Sequence, residues 1–323
     1  MSWKLRETHE KKEVRKAYGE TLKDMLQQDA KIIICDSDLA SSSGAGELYH
    51  TYPEHTVNFG ICEANMIAGG AGISMTGLKP FVHSFAPFVS RRVADQICIS
   101  LAFAKTDMHI YASDPGYWSL YNGATHTTFE DIAMMRAIPN LHVVAPSDAI
   151  SFAWVLRYYQ EHGGIYYNRC TRKPIPMIYT DESEFTFGKG MQLKQGTDIC
   201  LIAIGEAVYD AMLASELLDG MGISTSVVDM LFIKPFDTEL IQHMIHSHRI
   251  IVTIENHSQY GGIGELIGCE MAKSNSHSSL VMMNIGDRFG EVGTEDYLKK
   301  LYHLSVDDIV EKASEAYQKS VQN

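Results

Sequence analysis

The chain has no C-x-x-C pair, no G-x-x-x-x-G-K-[ST] loop and no G-x-S-x-G elbow. These absences remove a thioredoxin-like redox site, a P-loop phosphate cradle and an α/β-hydrolase nucleophile from consideration. The glycines of "GAG" (Gly44, Gly46) and "YGGIGE" (Gly261, Gly262, Gly264) do not fall on a strand–G-x-G-x-x-G–helix unit, so a dinucleotide fingerprint is poorly supported. No apolar run approaches the ~18 residues that a membrane span needs. The opening "MSWKLRETHEKKEVRKAYGE" has no apolar core, so no secretory signal is expected. Positive charge is scarce, with 27 Lys and Arg against 40 Asp and Glu, a net −13. An acidic surface repels nucleic acid and anionic membranes, so neither is expected as a partner, but it leaves room for a basic pocket inside a cleft. Cys35, Cys62, Cys98, Cys170, Cys200 and Cys269 are unpaired in pattern and mostly sit in apolar runs. They read as reduced core residues of a cytoplasmic protein. "HMIHSH" has helical metal-ligand spacing at His243, His246 and His248, but no Cys or acid stands nearby to complete a set, and no metal site is expected.

What is present is alternation. In "EVRKAYGETLKDML" apolar residues recur at Val14, Ala17, Tyr18, Leu22, Met25 and Leu26, which predicts a helix. "KIIICDS" is a continuous apolar run, as in a strand buried on both faces. Helical and strand-like segments then alternate as far as "GIYYNRC", which predicts right-handed crossovers on a parallel sheet. "DESEFTFGKGMQLKQGT" interrupts the pattern, and a second, smaller alternation runs from "ICLIAIG" to a last helix capped by Ser305 and Asp308. With 323 residues, a first domain over 1–185, a linker over 186–196 and a second domain over 197–323 are expected.

In open parallel sheets ligands sit beyond the carboxyl ends of the strands. Asp36, Asp38, Phe85 and Asp114 fall at such ends, and Glu63 ends the approach "NFGICE" before a run of small residues. Glu63 has two readings: an acid placed by a helix dipole, or a buried carboxyl with a raised pKa that shares a proton with a ligand nitrogen. Phe85 and Phe88 flank Pro87, beside Arg91 and Arg92, and are either core or a stacking surface for a flat heteroaromatic ring. His126 follows a Gly-containing loop and is either surface or a proton carrier. Arg15, Ser42 and Arg172 are ordinary surface residues singly, but together would bind phosphate.

In combination these segments resemble the transketolase family of thiamine diphosphate enzymes. "NFGICEANM" is similar to the family's G-I-x-E motif and "SFAPFVSRRVADQI" to its aromatic motif. "NGATHTTFEDIAMMRAIPN" is similar to its DGxTHQ region and "IVTIENHSQYGGIGE" to its C-terminal signature. The order and spacing of the four carry the resemblance, which covers nearly the whole chain but matches only the second half of a full-length transketolase. It implies an α/β fold: a pyrimidine-binding domain with a parallel sheet, then a smaller transketolase C-terminal domain. It also implies that Glu63 bonds N1′ of the aminopyrimidine, that Phe88 with Phe85 stacks on that ring, and that Arg91 and Asp38 lie near the cofactor. His126 would contact substrate oxygens, and Arg15, Ser42, Asn122 and Arg172 would line the sugar-phosphate site.

The departures fall on the substrate side. Asn122 replaces the family Asp, Thr127 the Gln after the His, and Ser113 a phosphate-site His. The family's G-D-G motif, which holds Mg²⁺ and diphosphate, is missing; "IGDRFG" lacks the second Gly. The resemblance therefore implies a C-terminal subunit, with a separate subunit carrying the G-D-G motif and the metal, in an α₂β₂ assembly that transfers a two-carbon ketol unit. Three alternatives remain at this stage: the β subunit of a 2-oxoacid dehydrogenase E1 component, a deoxyxylulose-phosphate synthase, and a non-catalytic homologue.

Overall fold

A computed structural model describes residues 3–322. The first sheet is built from β2 (Ile32–Asp36), β3 (Thr56–Asn58), β4 (Lys79–Phe85), β5 (Met108–Ser113), β6 (Leu141–Val144) and β7 (Ile165–Cys170). These six run parallel in the order β6-β7-β5-β4-β2-β3. β2, β5 and β7 are buried along their whole length, as continuous apolar runs between two helical layers require. The helix Val14–Leu26 buries the six apolar residues that its spacing picked out. A short ribbon, β1 (Lys11–Glu13) with β8 (Pro174–Pro176), ties the start of that helix to the exit of β7.

The second sheet contains β9 (Met191–Lys194), β10 (Ile199–Ala203), β11 (Thr225–Asp229), β13 (Ile250–Ile254) and β14 (Ser279–Met283), in the order β14-β13-β10-β11-β9. β9 is an antiparallel edge strand inside the segment expected to be a linker. It went unread because four residues of mixed polarity on an edge carry little periodic signal. β12 (Phe232–Lys234) leaves the second unit altogether and pairs antiparallel with β6, closing the edge of the first sheet. Sequence alone gave no hint of that exchange. The last helix, Val306–Gln322, begins with the expected reciprocal cap. Ser305 N donates to Asp308 Oδ2 at 3.0 Å and Asp308 N to Ser305 Oγ at 3.3 Å. Two further expectations need correcting. β3 is a mostly exposed edge strand, not a buried approach to Glu63, and Cys62 and Cys269 are exposed. Among the described residues no helix is long and apolar enough to cross a membrane.

The two units are joined by buried polar groups. Arg169, 1% exposed, pairs through Nε with Asp131 Oδ2 at 2.8 Å and donates from Nη2 to the Asn256 carbonyl at 3.1 Å. Asn256 also accepts from Tyr117 N at 3.0 Å and donates to the Pro115 carbonyl at 3.1 Å. Gly116 lies between them at φ 61°, where a Cβ would meet Asn256 Oδ1 at 2.0 Å, so only glycine permits this approach. Asp229, at the end of β11, accepts from Ser147 Oγ at 2.6 Å and the Tyr179 hydroxyl at 2.7 Å.

Burial pushes the Asp229 carboxyl up to about 7, outweighing the two hydroxyl donors, which lower it. The unfolded value is near ~3.9, so the folded chain holds the extra proton between the two values. The contribution of this carboxyl to stability accordingly falls as pH rises from about 4 to about 7 and then levels. In urea unfolding, the stability of wild type relative to Asp229→Asn is expected to fall across that range. Glu255, which burial likewise raises to about 7, acts in the same sense, and His109 and His257, which burial lowers to about 3 and about 4, act in the opposite one.

Candidate active site

Glu63 is the first residue of the helix Glu63–Met75, reached from β3 through a glycine turn. An acid there faces unpaired amides at the positive end of the helix. The residue is only 2% exposed. Its Oε1 accepts from Ser84 Oγ on β4 at 3.2 Å, and its Oε2 from Arg92 Nη1 at 2.8 Å. Behind Ser84 runs a buried chain that sequence reasoning missed. Asp36 Oδ2 lies 3.2 Å from His83 Nδ1, His83 Nε2 lies 3.0 Å from Ser113 Oγ, and Ser113 reaches the Ser84 carbonyl at 3.4 Å. Strand register was the available signal, since these residues sit on the adjacent parallel strands β2, β4 and β5.

Arg91 turns elsewhere. Its Nη1 pairs with Glu130 Oε1 at 2.7 Å, with both side chains more than a third exposed. The arginine on the Glu63 carboxylate is the next residue, because 91–93 forms a single tight turn that aims neighbouring side chains apart. The Arg92 guanidinium also lies 3.8 Å over the Phe88 ring.

Three segments distant in sequence meet at the aromatic pair. The Phe85 and Phe88 ring centroids are 6.0 Å apart, and the His126 ring lies 5.9 Å from the first and 5.1 Å from the second. His126 Nδ1 is 3.0 Å from Thr125 Oγ1. On the far side of Phe85, the Arg172 guanidinium stands 4.6 Å from the ring centroid. Asp114 holds it there, accepting from Arg172 Nε at 2.8 Å and from Lys173 Nζ at 3.0 Å. Burial alone would raise the Asp114 carboxyl, but Lys173 and Arg172 together hold it below the usual carboxylate range. Arg172 and Lys173 line a cleft of about 200 Å³ with Glu13, Arg15 and Pro174. Arg15 is tied to Glu13 at 3.2 Å, and Gly44 lets the loop carrying Ser42 pass against the Arg15 carbonyl. Lys173 was overlooked in "RCTRKP", although its place beside Arg172 was the clue.

Other expected residues stand apart from this cluster. Ser42 is half-buried, with its amide bonded to the Leu39 carbonyl at 2.8 Å. Asp38, at φ 62°, exchanges hydrogen bonds with Asn58 at 3.1 and 3.2 Å. Asn122 is exposed in the loop before His126. His243 and His246 are exposed, while His248 is buried and lies 2.9 Å from Ser226 Oγ. Among the described residues no group of three or more His, Cys, Asp or Glu is placed to hold a metal ion.

The two kinds of ion pair should behave differently. Asp114→Ala leaves two partly buried cations without their acid and is expected to cost about 3–5 kcal/mol. Arg91→Ala breaks an exposed pair and is expected to cost under about 1 kcal/mol. Urea unfolding of the two variants checks the contrast.

Comparison with known proteins places this geometry. Residues 10–173 match the family model for the transketolase pyrimidine binding domain, and residues 188–309 that for the transketolase C-terminal domain. The chain is 36% identical over 302 residues to the 6-deoxy-6-sulfo-D-fructose transketolase subunit SqwH of Clostridium sp. (strain MSTE9), covering 94% of each. It is 37% identical over 310 residues to a putative transketolase C-terminal section of Methanocaldococcus jannaschii, covering 95% of this chain and 97% of that one. Among solved structures, a split gene transketolase described as an inactive β4 tetramer superposes with a TM-score of 0.85 at 30% identity, covering 94% of this chain and 98% of that one. These three bear transketolase names, while 1-deoxy-D-xylulose-5-phosphate synthases, such as that of Desulforudis audaxviator at 30% identity, are matched over only about half of their own length. The chain belongs to the transketolase family, and relatives that it matches over nearly their whole length are named as a transketolase subunit and a transketolase C-terminal section.

Proposed function

We propose that this chain supplies the pyrimidine half of a thiamine diphosphate site, in a transketolase whose diphosphate and Mg²⁺ half lies on another subunit. The observation that carries the reading is the enclosure of Glu63 beside the Phe88 ring, with the His126 ring against both Phe88 and Phe85. A buried acid, a flat apolar face and a neighbouring imidazole are the contacts that an aminopyrimidine and a polar substrate require. The residues present therefore fit that half of the cofactor. No G-D-G motif occurs in the sequence, and the description of a related β4 assembly as inactive agrees with a site that needs a second chain. An α₂β₂ assembly follows as part of the proposal.

Thiamine diphosphate, when bound, supplies the electron sink for breaking and making a carbon–carbon bond. Glu63 holds a proton-sharing contact to the ring nitrogen at its carboxyl, with Ser84 fixing one oxygen. Phe88, backed by Phe85, provides the stacking face. His126 presents its free ring nitrogen to substrate oxygens, stabilising charge as it develops there. Arg172, set by Asp114, meets the anionic end of a sugar together with Lys173 and Arg15. The reaction so assembled moves a two-carbon ketol unit from a ketose carrying an anionic end to an aldose.

The test is reconstitution. Ketol transfer is expected from the chain together with a G-D-G-bearing partner, and not from the chain alone. Full activity of the isolated chain would remove the split-site reading. A reconstituted complex that binds cofactor without turnover would favour the non-catalytic homologue. In the active complex Glu63→Gln is expected to lower turnover by at least about 10²-fold while the far-ultraviolet circular dichroism stays unchanged. His126→Ala is expected to lower it by a similar factor.

A further inference from the structure

We infer that Arg92 is a stand-in for the cofactor's aminopyrimidine, occupying Glu63 and Phe88 in the cofactor-free chain and vacating both when the ring binds. The inference rests on the roles given above to those two residues. A guanidinium is planar, delocalised and rich in N–H donors. Here it places one nitrogen 2.8 Å from Glu63 Oε2 and its central carbon 3.8 Å from the Phe88 centroid. Those are the two contacts, carboxyl to nitrogen and flat face to aromatic face, assigned to the aminopyrimidine.

The need for such a group follows from burial. The Glu63 side chain is 3% exposed, and Ser84 answers only one of its oxygens. A carboxylate removed from water without a partner is strongly destabilised, so the cofactor-free chain requires a cation or a donor at Oε2. Arg91 is engaged with Glu130. Arg92 is close enough, and its own side chain is 45% exposed, so it can swing into solvent without breaking the core. Its contact to Phe88 is a cation–π contact on the same face that a heteroaromatic ring would need. A guanidinium and a stacked ring cannot share that face or that oxygen. Cofactor affinity is thus reduced by the population in which Arg92 is seated.

Two measurements test this. In the chain without cofactor, thermal unfolding of wild type, Arg92→Ala, Glu63→Gln and the double variant forms a cycle. Arg92→Ala is expected to lower the Tm, and most of that loss is expected to vanish in the Glu63→Gln background. In the complex with the diphosphate-binding subunit, calorimetric titration with thiamine diphosphate and Mg²⁺ is expected to show roughly 5- to 50-fold tighter binding for Arg92→Ala. Weaker binding by that variant would mean that Arg92 holds the bound cofactor and would overturn the inference, as would unchanged binding or an additive cycle. A wild-type complex that does not bind thiamine diphosphate would instead overturn the function proposed above, and this inference with it.

Discussion

A carboxylate taken out of water must find charge or hydrogen-bond donors, and this fold repeatedly places acids at the ends of its strands and the starts of its helices. Asp36 meets His83, Glu63 meets Ser84 and Arg92, and Asp114 meets Arg172 and Lys173. Asp131 meets Arg169 and Tyr167, and Asp229 meets Ser147 and Tyr179. Each contact joins segments that are separate in sequence or in the sheet. The apolar helices and strands bring the chain together, and the buried acids set which loops face one another.

The same constraint explains why one sheet keeps a crevice and the other does not. In the second sheet the strand ends that would form a ligand site are taken up by the first unit. Glu206 accepts from Thr171 N at 2.7 Å, Asp229 from Ser147 and Tyr179, and Asn256 from Tyr117. In the first sheet the cations beyond β4, Arg91 and Arg92, are more than a third exposed, while Asp114 beyond β5 and Thr171 beyond β7 are buried. Chemistry therefore concentrates on one edge of a two-sheet molecule.

Along that edge the groups fall into a sequence of functions. Glu63 and Arg92 stand at one end, the Phe85, Phe88 and His126 rings in the middle, and Arg172 with Arg15 at the other. Arg172 over Phe85 links the cleft that it lines with Arg15 to the rings. Among the described residues, no group of three or more His, Cys, Asp or Glu along that edge is placed to hold a metal ion.

The sequence by itself determined the layered α/β architecture, the helix Val14–Leu26, the buried strands and the cap at Ser305, because each rests on local periodicity or on contacts three residues apart. It also picked out Glu63, Phe85, Phe88, His126 and Arg172, since motif order survives without coordinates. Tertiary structure alone decided that Arg92, not Arg91, reaches Glu63, a matter of how one tight turn aims adjacent side chains. It alone placed β12 in the first sheet, β9 inside the expected linker, His83 behind Ser84 and Lys173 on Asp114. These are pairings across long stretches of chain, and their energies depend on burial that a one-dimensional pattern does not encode.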